Sequence, residues 1–288
     1  MFKRIKLSIQ ELIDIFLKKR VYRYGAAFSY YVTLSFFPFI ILVSIMVAPL
    51  QIHLENVPEI VSRFIPSGII DVFLTHLSYI NTGESKVMMW SAIIMLVTSA
   101  SAAFRVLMDI MADIHSESRY SGFVGFIVSL IMALAVLVFI YLICILILAG
   151  RWVLNLMEQH FYISVFADIW VWFRYVLMFP LMFILIQSIY IFTTPKNDLM
   201  FHQTIGAMTA TVVAVLVSMG FSWLISQTNR YTMIYGSLAS VVILMIWLFV
   251  LGVVLIMGNA LNVVIERRRI ERIQATMELA DDLEDNEY

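Results

Sequence analysis

The side chains able to do chemistry in this chain are few, and they stand in apolar surroundings. Arg105 and Asp109 are four residues apart inside the run 87–110. That spacing puts both on one face of a helix, where they can pair. Ser29 and Thr33 share the same spacing just ahead of Pro38. Asn259, Asn262 and Glu266 close the last apolar run, with Asn262 and Glu266 again four apart. Charged side chains in such runs usually face a bundle interior or a water-filled cavity. On the functional reading, Arg105 attracts an anionic head group, and Ser29, Thr33 and Asn262 line a passage. Arg105, Asp109, Asn259, Asn262 and Glu266 approach the inner leaflet together, where a polar cluster would form. On the structural reading, Arg105 snorkels from the end of its helix and the asparagines seek partners on neighbouring helices.

Other chemistries lack their residues. His53, His76, His115, His160 and His202 are scattered among expected loops and helix ends. None makes an HExxH or comparable metal spacing. Walker, GxGxxG and GxSxG motifs are missing as well. No cofactor is expected, and the chain reads as a non-enzyme. The single cysteine, Cys144, lies in an apolar run and reads as a packing residue. A net charge of −1 gives no sign of a nucleic-acid partner.

These side chains must be positioned by membrane helices. The chain is 62% hydrophobic and 14% charged, against about 45–50% and 25% for soluble domains. A helical span needs about 20 mostly apolar residues. Six stretches qualify: 25–48, 87–110, 123–149, 169–192, 205–226 and 235–265. They are too long and too continuously apolar for barrel strands, and lipid offers backbone groups no partner outside a helix. The expected fold is therefore all-α, a polytopic membrane bundle of about six helices.

Charge sets the orientation. With the N-terminus inside, thirteen Lys and Arg fall in cytoplasmic segments and five in outer ones, which places both termini in the cytoplasm. Trp90, Trp152, Trp170, Trp172 and Trp223 then gather near the outer ends of spans, as an aromatic belt requires. No cleavable leader is evident, since charges break residues 2–20.

Three regions follow. Residues 1–24 form a basic cytoplasmic segment. Within it Ile5, Ile9, Leu12, Ile13 and Phe16 have helical spacing, as in an amphipathic helix lying on an anionic leaflet. Residues 25–265 form the six-span domain. Its outer segment 51–86 is expected to fold as short amphipathic helices capping the bundle. Residues 266–288 form a charged cytoplasmic tail whose acidic end is expected to be disordered.

Within the spans, Pro38 removes a backbone hydrogen bond and is expected to kink the first helix. Gly206, Ala210, Ala214, Ser218, Ser222 and Ser226 recur every four residues, a small-residue ridge for close helix contact. Each step of four turns about 400°, so the ridge drifts around the helix.

The run Gly25-Ala26-Ala27-Phe28-Ser29-Tyr30-Tyr31-Val32-Thr33-Leu34-Ser35-Phe36-Phe37-Pro38 resembles the first-span signature of the YihY/BrkB family of bacterial membrane proteins. Ile234-Tyr235-Gly236-Ser237-Leu238-Ala239, then Trp247, then Gly258 through Asn262, is similar to its C-terminal signature, and Gly206-Ala207 also fits. One departure stands out. The family commonly reads Gly-Ala-Glu-Leu-Asn where this chain has Gly258-Asn259-Ala260-Leu261-Asn262. A role for that glutamate in relatives would not transfer here, and Glu266, one turn on, would substitute only in part.

The resemblance implies a six-span inner-membrane protein. Family members have been labelled ribonuclease BN or virulence factors. RNA hydrolysis at a metal site needs clustered ligands in water, and the sequence offers none. Two readings remain. One is a transporter of an anionic lipid or envelope precursor, working among membrane lipids. The other is a scaffold binding envelope or division proteins through segment 51–86 and the charged tails. The small-residue ridge would serve either one chain or a homo-oligomer.

Overall fold

The computed structural model describes residues 2–47, 85–117, 120, 122–140, 165–194, 200–226 and 231–285. Among them lie seven helices: α1 (Phe2–Lys18), α2 (Val21–Val47), α3 (Ser85–His115), α4 (Gly122–Ile140), α5 (Val165–Thr193), α6 (Met200–Ser226) and α7 (Tyr231–Asp285). Each of the six expected apolar runs is helical over its described residues. Four of the helices contain described stretches long and apolar enough to cross a membrane: Trp90–His115, Gly122–Ile140, Gln203–Leu224 and Val241–Glu278. The molecule is an all-helical membrane bundle. The expected cap at 51–86 and Cys144 fall almost wholly or entirely outside the described residues.

The core lies toward the end of the bundle that carries α1. Leu107, Ile110 and Met111 of α3 are fully enclosed, together with Val21 of α2, Tyr190 of α5 and Ile256 and Ala260 of α7. α2 and α3 pack together, and α7 lies against α2, α3 and α6. Small residues permit this. Ser99, Ala100, Ser101, Ala102 and Ala103 are all buried on α3. On α6 the ridge behaves as its drift requires: Gly206, Ala210 and Ala214 are buried, Ser218 is half-buried under Trp247, and Ser222 is exposed.

Trp90 and Trp223 are exposed at the far end from α1, as a belt of interfacial rings demands. The helix α2 continues through Pro38 to Val47.

The charged tail corrects one expectation. α7 does not stop near residue 265 but continues to Asp285, 55 residues in all. No glycine or proline interrupts 266–285, and Arg, Glu, Ile, Leu, Met and Ala are sound helix formers. Propensity and continuity with a buried helix outweigh the acidic composition that suggested disorder.

α1 packs Leu12, Ile15 and Phe16 against the core. Its Glu11 carboxylate pairs with Arg268 at 3.6 Å and Arg267 at 3.9 Å on α7. The corner into α2 turns on Arg20, whose φ is 52°. Lys19 beside it pairs with Asp113 of α3 at 2.8 Å. The opposite stripe of α1, Ile9, Ile13 and Leu17, stays exposed.

Candidate functional site

Two polar regions meet at the C-terminal end of α5. The first is a cleft of about 120 Å³ between α3, α4 and α5. Its walls include Arg105, Asp109, Tyr120, Gly122, Phe126 and Thr193. Arg105 is half-buried and donates from Nη1 to Ser101 Oγ at 2.9 Å, one turn earlier on α3. Its guanidinium carbon lies 5.2 Å from the centre of the Phe126 ring, a distance at which the ring face attracts a cation.

Asp109 stands one turn further along the same wall. Among the described residues it forms no ion pair with Arg105. Facing the cleft from the other side, α4 begins at Gly122, whose φ of +55° suits glycine. The first turn of α4 therefore opens on the cleft, with N–H groups that carry partial positive charge.

The second region is a closed network. Asn259 is fully buried and donates from Nδ2 to Thr194 Oγ1 at 2.9 Å. Its Oδ1 lies 3.0 Å from His115 Nε2. An amide oxygen can only accept, so that ring nitrogen is the donor. Tyr190, also fully buried, donates to Leu255 O at 2.6 Å. Asn262 is buried and spans two backbone groups of α6: Oδ1 accepts from Gly206 N–H at 2.7 Å and Nδ2 donates to Gln203 O at 3.2 Å.

Gly206 and Gly258 mark the crossing of α6 and α7. A Cβ on Gly258 would stand 2.7 Å from Ala210 Cβ and press on the Tyr190 hydroxyl. A Cβ on Gly206 would stand 2.6 Å from Asn262 Cγ and press on Gly258 O. Two glycines are thus required by contact, not by backbone conformation.

The seven residues singled out by spacing separate into groups. Arg105 and Asp109 share the open cleft. Asn259 and Asn262 belong to the closed network. Glu266 is half-buried one turn beyond Asn262. Ser29 and Thr33 are buried on α2, and no described contact brings them to Arg105 or Asn262. Ser29 donates to Ala26 O at 2.8 Å, while Thr33 Oγ1 has no partner among the described residues. Ala260, which departs from the motif that the resemblance implies, is fully enclosed.

His115, Tyr190, Thr194 and Gln203 escaped the sequence reading. A signal existed for His115, because it continues the buried line Leu107, Met111 by one more step of four. Ending that helix at Ile110 instead of His115 hid it.

A sequence profile of the family described as virulence factor BrkB matches residues 12–282. The chain belongs to this family. Among its relatives, the protein of Bacillus subtilis named YfkH and called ribonuclease-like is 23% identical over 248 residues, covering 85% of this chain and 90% of its own length. A UPF0761 membrane protein of Vibrio campbellii is 30% identical over 104 residues, 34% of this chain and 33% of its own length. Another, from Aromatoleum aromaticum, is 33% identical over 90 residues, 30% of this chain and 22% of its own. No solved structure matches. The protein is thus a multi-pass membrane protein of the BrkB family, and its helical bundle agrees with the relatives' description as membrane proteins.

Proposed function

We propose that the protein is a non-catalytic transporter in the bacterial inner membrane, with six spans and both termini in the cytoplasm. Its cargo is a phosphate-bearing amphiphile, a lipid or an envelope precursor. The observation that carries this reading is the Arg105 cleft. A half-buried guanidinium in an apolar helix is expensive unless something uses it. A water needs only about 10–15 Å³, and drug-sized ligands fill roughly 300–1,000 Å³. A cleft of about 120 Å³ therefore suits a head group, with the tails left in lipid. The adjoining helix supports this, since Phe123, Val124, Ile127 and Ile131 of α4 present an exposed apolar surface for acyl chains.

Orientation rests on charge. Lys18, Lys19, Arg20, Arg23, Arg267 and Arg268 gather at the α1 end, which the positive-inside rule assigns to the cytoplasm. The exposed stripe of Ile9, Ile13 and Leu17 would then rest in the cytoplasmic leaflet. The ribonuclease-like name of one relative suggests a hydrolase. Among the described residues, however, no three of His, Cys, Asp and Glu gather as metal ligands.

The test is transfer of fluorescent phospholipids between leaflets of vesicles holding the purified full chain. Transfer should exceed that of empty vesicles and fall at least tenfold in Arg105→Ala. Wild-type speed in that variant would remove Arg105 from the mechanism.

A second reading, a scaffold for envelope or division proteins, draws on the far part of α7. There Ile270, Ile273 and Met277 form an exposed apolar line on an otherwise charged helix. Partner capture lost on deleting residues 270–288, with lipid transfer absent, would favour it.

A further inference from the structure

The cleft described above carries both signs of charge. Arg105 and Asp109 line one wall, a single helical turn apart. On an isolated surface helix a pair at this spacing commonly joins. Here the guanidinium is turned back to Ser101 and held over Phe126 instead. The two charges are thus presented to the same space without forming an ion pair with each other. A purely anionic ligand would be held by Arg105 and the first turn of α4 but repelled by the Asp109 carboxylate. Like charges a few ångströms apart repel, so such a ligand would use half of the site against the other half.

We infer that the cleft is built for the zwitterionic head group of a phospholipid, with a phosphate and a primary ammonium on one short bridge, as in phosphatidylethanolamine. This rests on the reading of the cleft as a lipid head-group site and specifies its ligand. The phosphate sits at Arg105, whose remaining guanidinium N–H groups are free to fork onto its oxygens. The ammonium sits at Asp109, which accepts its hydrogen bonds. With its guanidinium drawn back to Ser101, Arg105 sets its charge more than one helical turn, about 5.4 Å of rise, from Asp109, which leaves space between the two charges for two linked groups of one ligand.

The ammonium is primary rather than quaternary. A quaternary group is recognised by a cage of aromatic faces; of the two aromatic side chains lining the cleft, Phe126 is already covered by Arg105, which leaves Tyr120 alone and no cage. A primary ammonium instead has three donors to satisfy, which a carboxylate does. The tails are the second half of the ligand, and they have the apolar surface of α4 to lie on: Phe123 and Ile131 are 75% and 58% exposed.

The test uses the full chain in membrane discs holding equal amounts of phosphatidylethanolamine, phosphatidylcholine and phosphatidylglycerol, with the protein-retained lipids weighed against the bulk. Wild type should retain phosphatidylethanolamine several-fold over the other two. Asp109→Asn, nearly isosteric, should bring the ratio to phosphatidylglycerol near one, and Asp109→Glu should keep the preference. Arg105→Ala should lose retention of all three. Phosphatidylcholine retained equally with phosphatidylethanolamine would overturn the inference, because no primary ammonium is then being read. Preference for phosphatidylglycerol, unchanged in Asp109→Asn, would also overturn it while leaving carriage of an anionic lipid standing. Soluble phosphoethanolamine that raises the melting temperature as strongly as the lipid would overturn the assignment to a lipid. Retention matching the bulk in every variant would overturn both this inference and the reading on which it rests. Melting temperatures of the variants within a few degrees of wild type show that the outcome reports the site and not the fold.

Discussion

Thr193 and Thr194 are neighbours at the end of α5, and they belong to opposite kinds of structure. Thr193 lines the open cleft with Arg105 and Asp109. Thr194 accepts the Asn259 carboxamide inside the closed network. On the closed side, described hydrogen bonds satisfy both polar atoms of the Asn259 and Asn262 carboxamides, and glycine contact is so tight that a methyl does not fit. On the open side, two opposite charges line one wall without pairing, and space remains. A closed polar network rigidifies a bundle, whereas an incompletely used charge is where a ligand gains most. The contrast separates residues that hold the helices together from residues available to cargo.

The contrast makes ordered predictions for stability, each read as detergent-solubilised melting temperature or denaturant midpoint. Gly258→Val should have the largest effect. Overpacking costs about 1–3 kcal/mol, occasionally more, and here the obstacles are Ala210 Cβ, the Tyr190 hydroxyl and backbone. Little folded protein should be recovered. Asn262→Leu should come next, at about 1–3 kcal/mol, because it removes two buried hydrogen bonds that tie α7 to the α6 backbone. Tyr190→Phe removes one bond to Leu255 O and should cost about 1 kcal/mol. Glu11→Gln should cost no more than about 0.5 kcal/mol, since its partners on α7 are partly exposed. Asp109→Asn should leave stability within about 0.5 kcal/mol, as expected away from packed features. A cleft variant as damaging as Gly258→Val would erase the distinction between the two sides.

Much of the closed side was legible in the sequence, and little of its wiring was. The ridge through Gly206, Ala210 and Ala214 announced a close helix contact, because small residues every four positions serve little else in a span. Its drift meant that one partner could not cover all six positions unless the helices cross, and Ser222 is exposed. Asn262 announced a partner on another helix, but not that the partner would be the backbone of α6. His115, Tyr190 and Thr194 stayed hidden for a common reason. Each bonds across 65 or 144 residues of chain, and helix-end positions near polar loops look solvated until the neighbouring helix is in place.

The open side was legible by spacing. A step of four residues from Arg105 to Asp109 puts them on one face, and they do share a wall. The role of Phe126 and of the α4 start required the tertiary fold. Ser29 and Thr33 carry the opposite lesson. Shared spacing places two hydroxyls on one face, yet Ser29 satisfies itself on Ala26 O, a local bond any helix offers.

If Arg105 serves cargo and not the fold, one comparison shows it: Arg105→Ala against wild type in the same vesicles, with phospholipid transfer between leaflets and melting temperature measured on one preparation. Transfer should fall at least tenfold, with the melting temperature within a few degrees of wild type. Transfer at wild-type speed in a correctly folded variant would contradict that role.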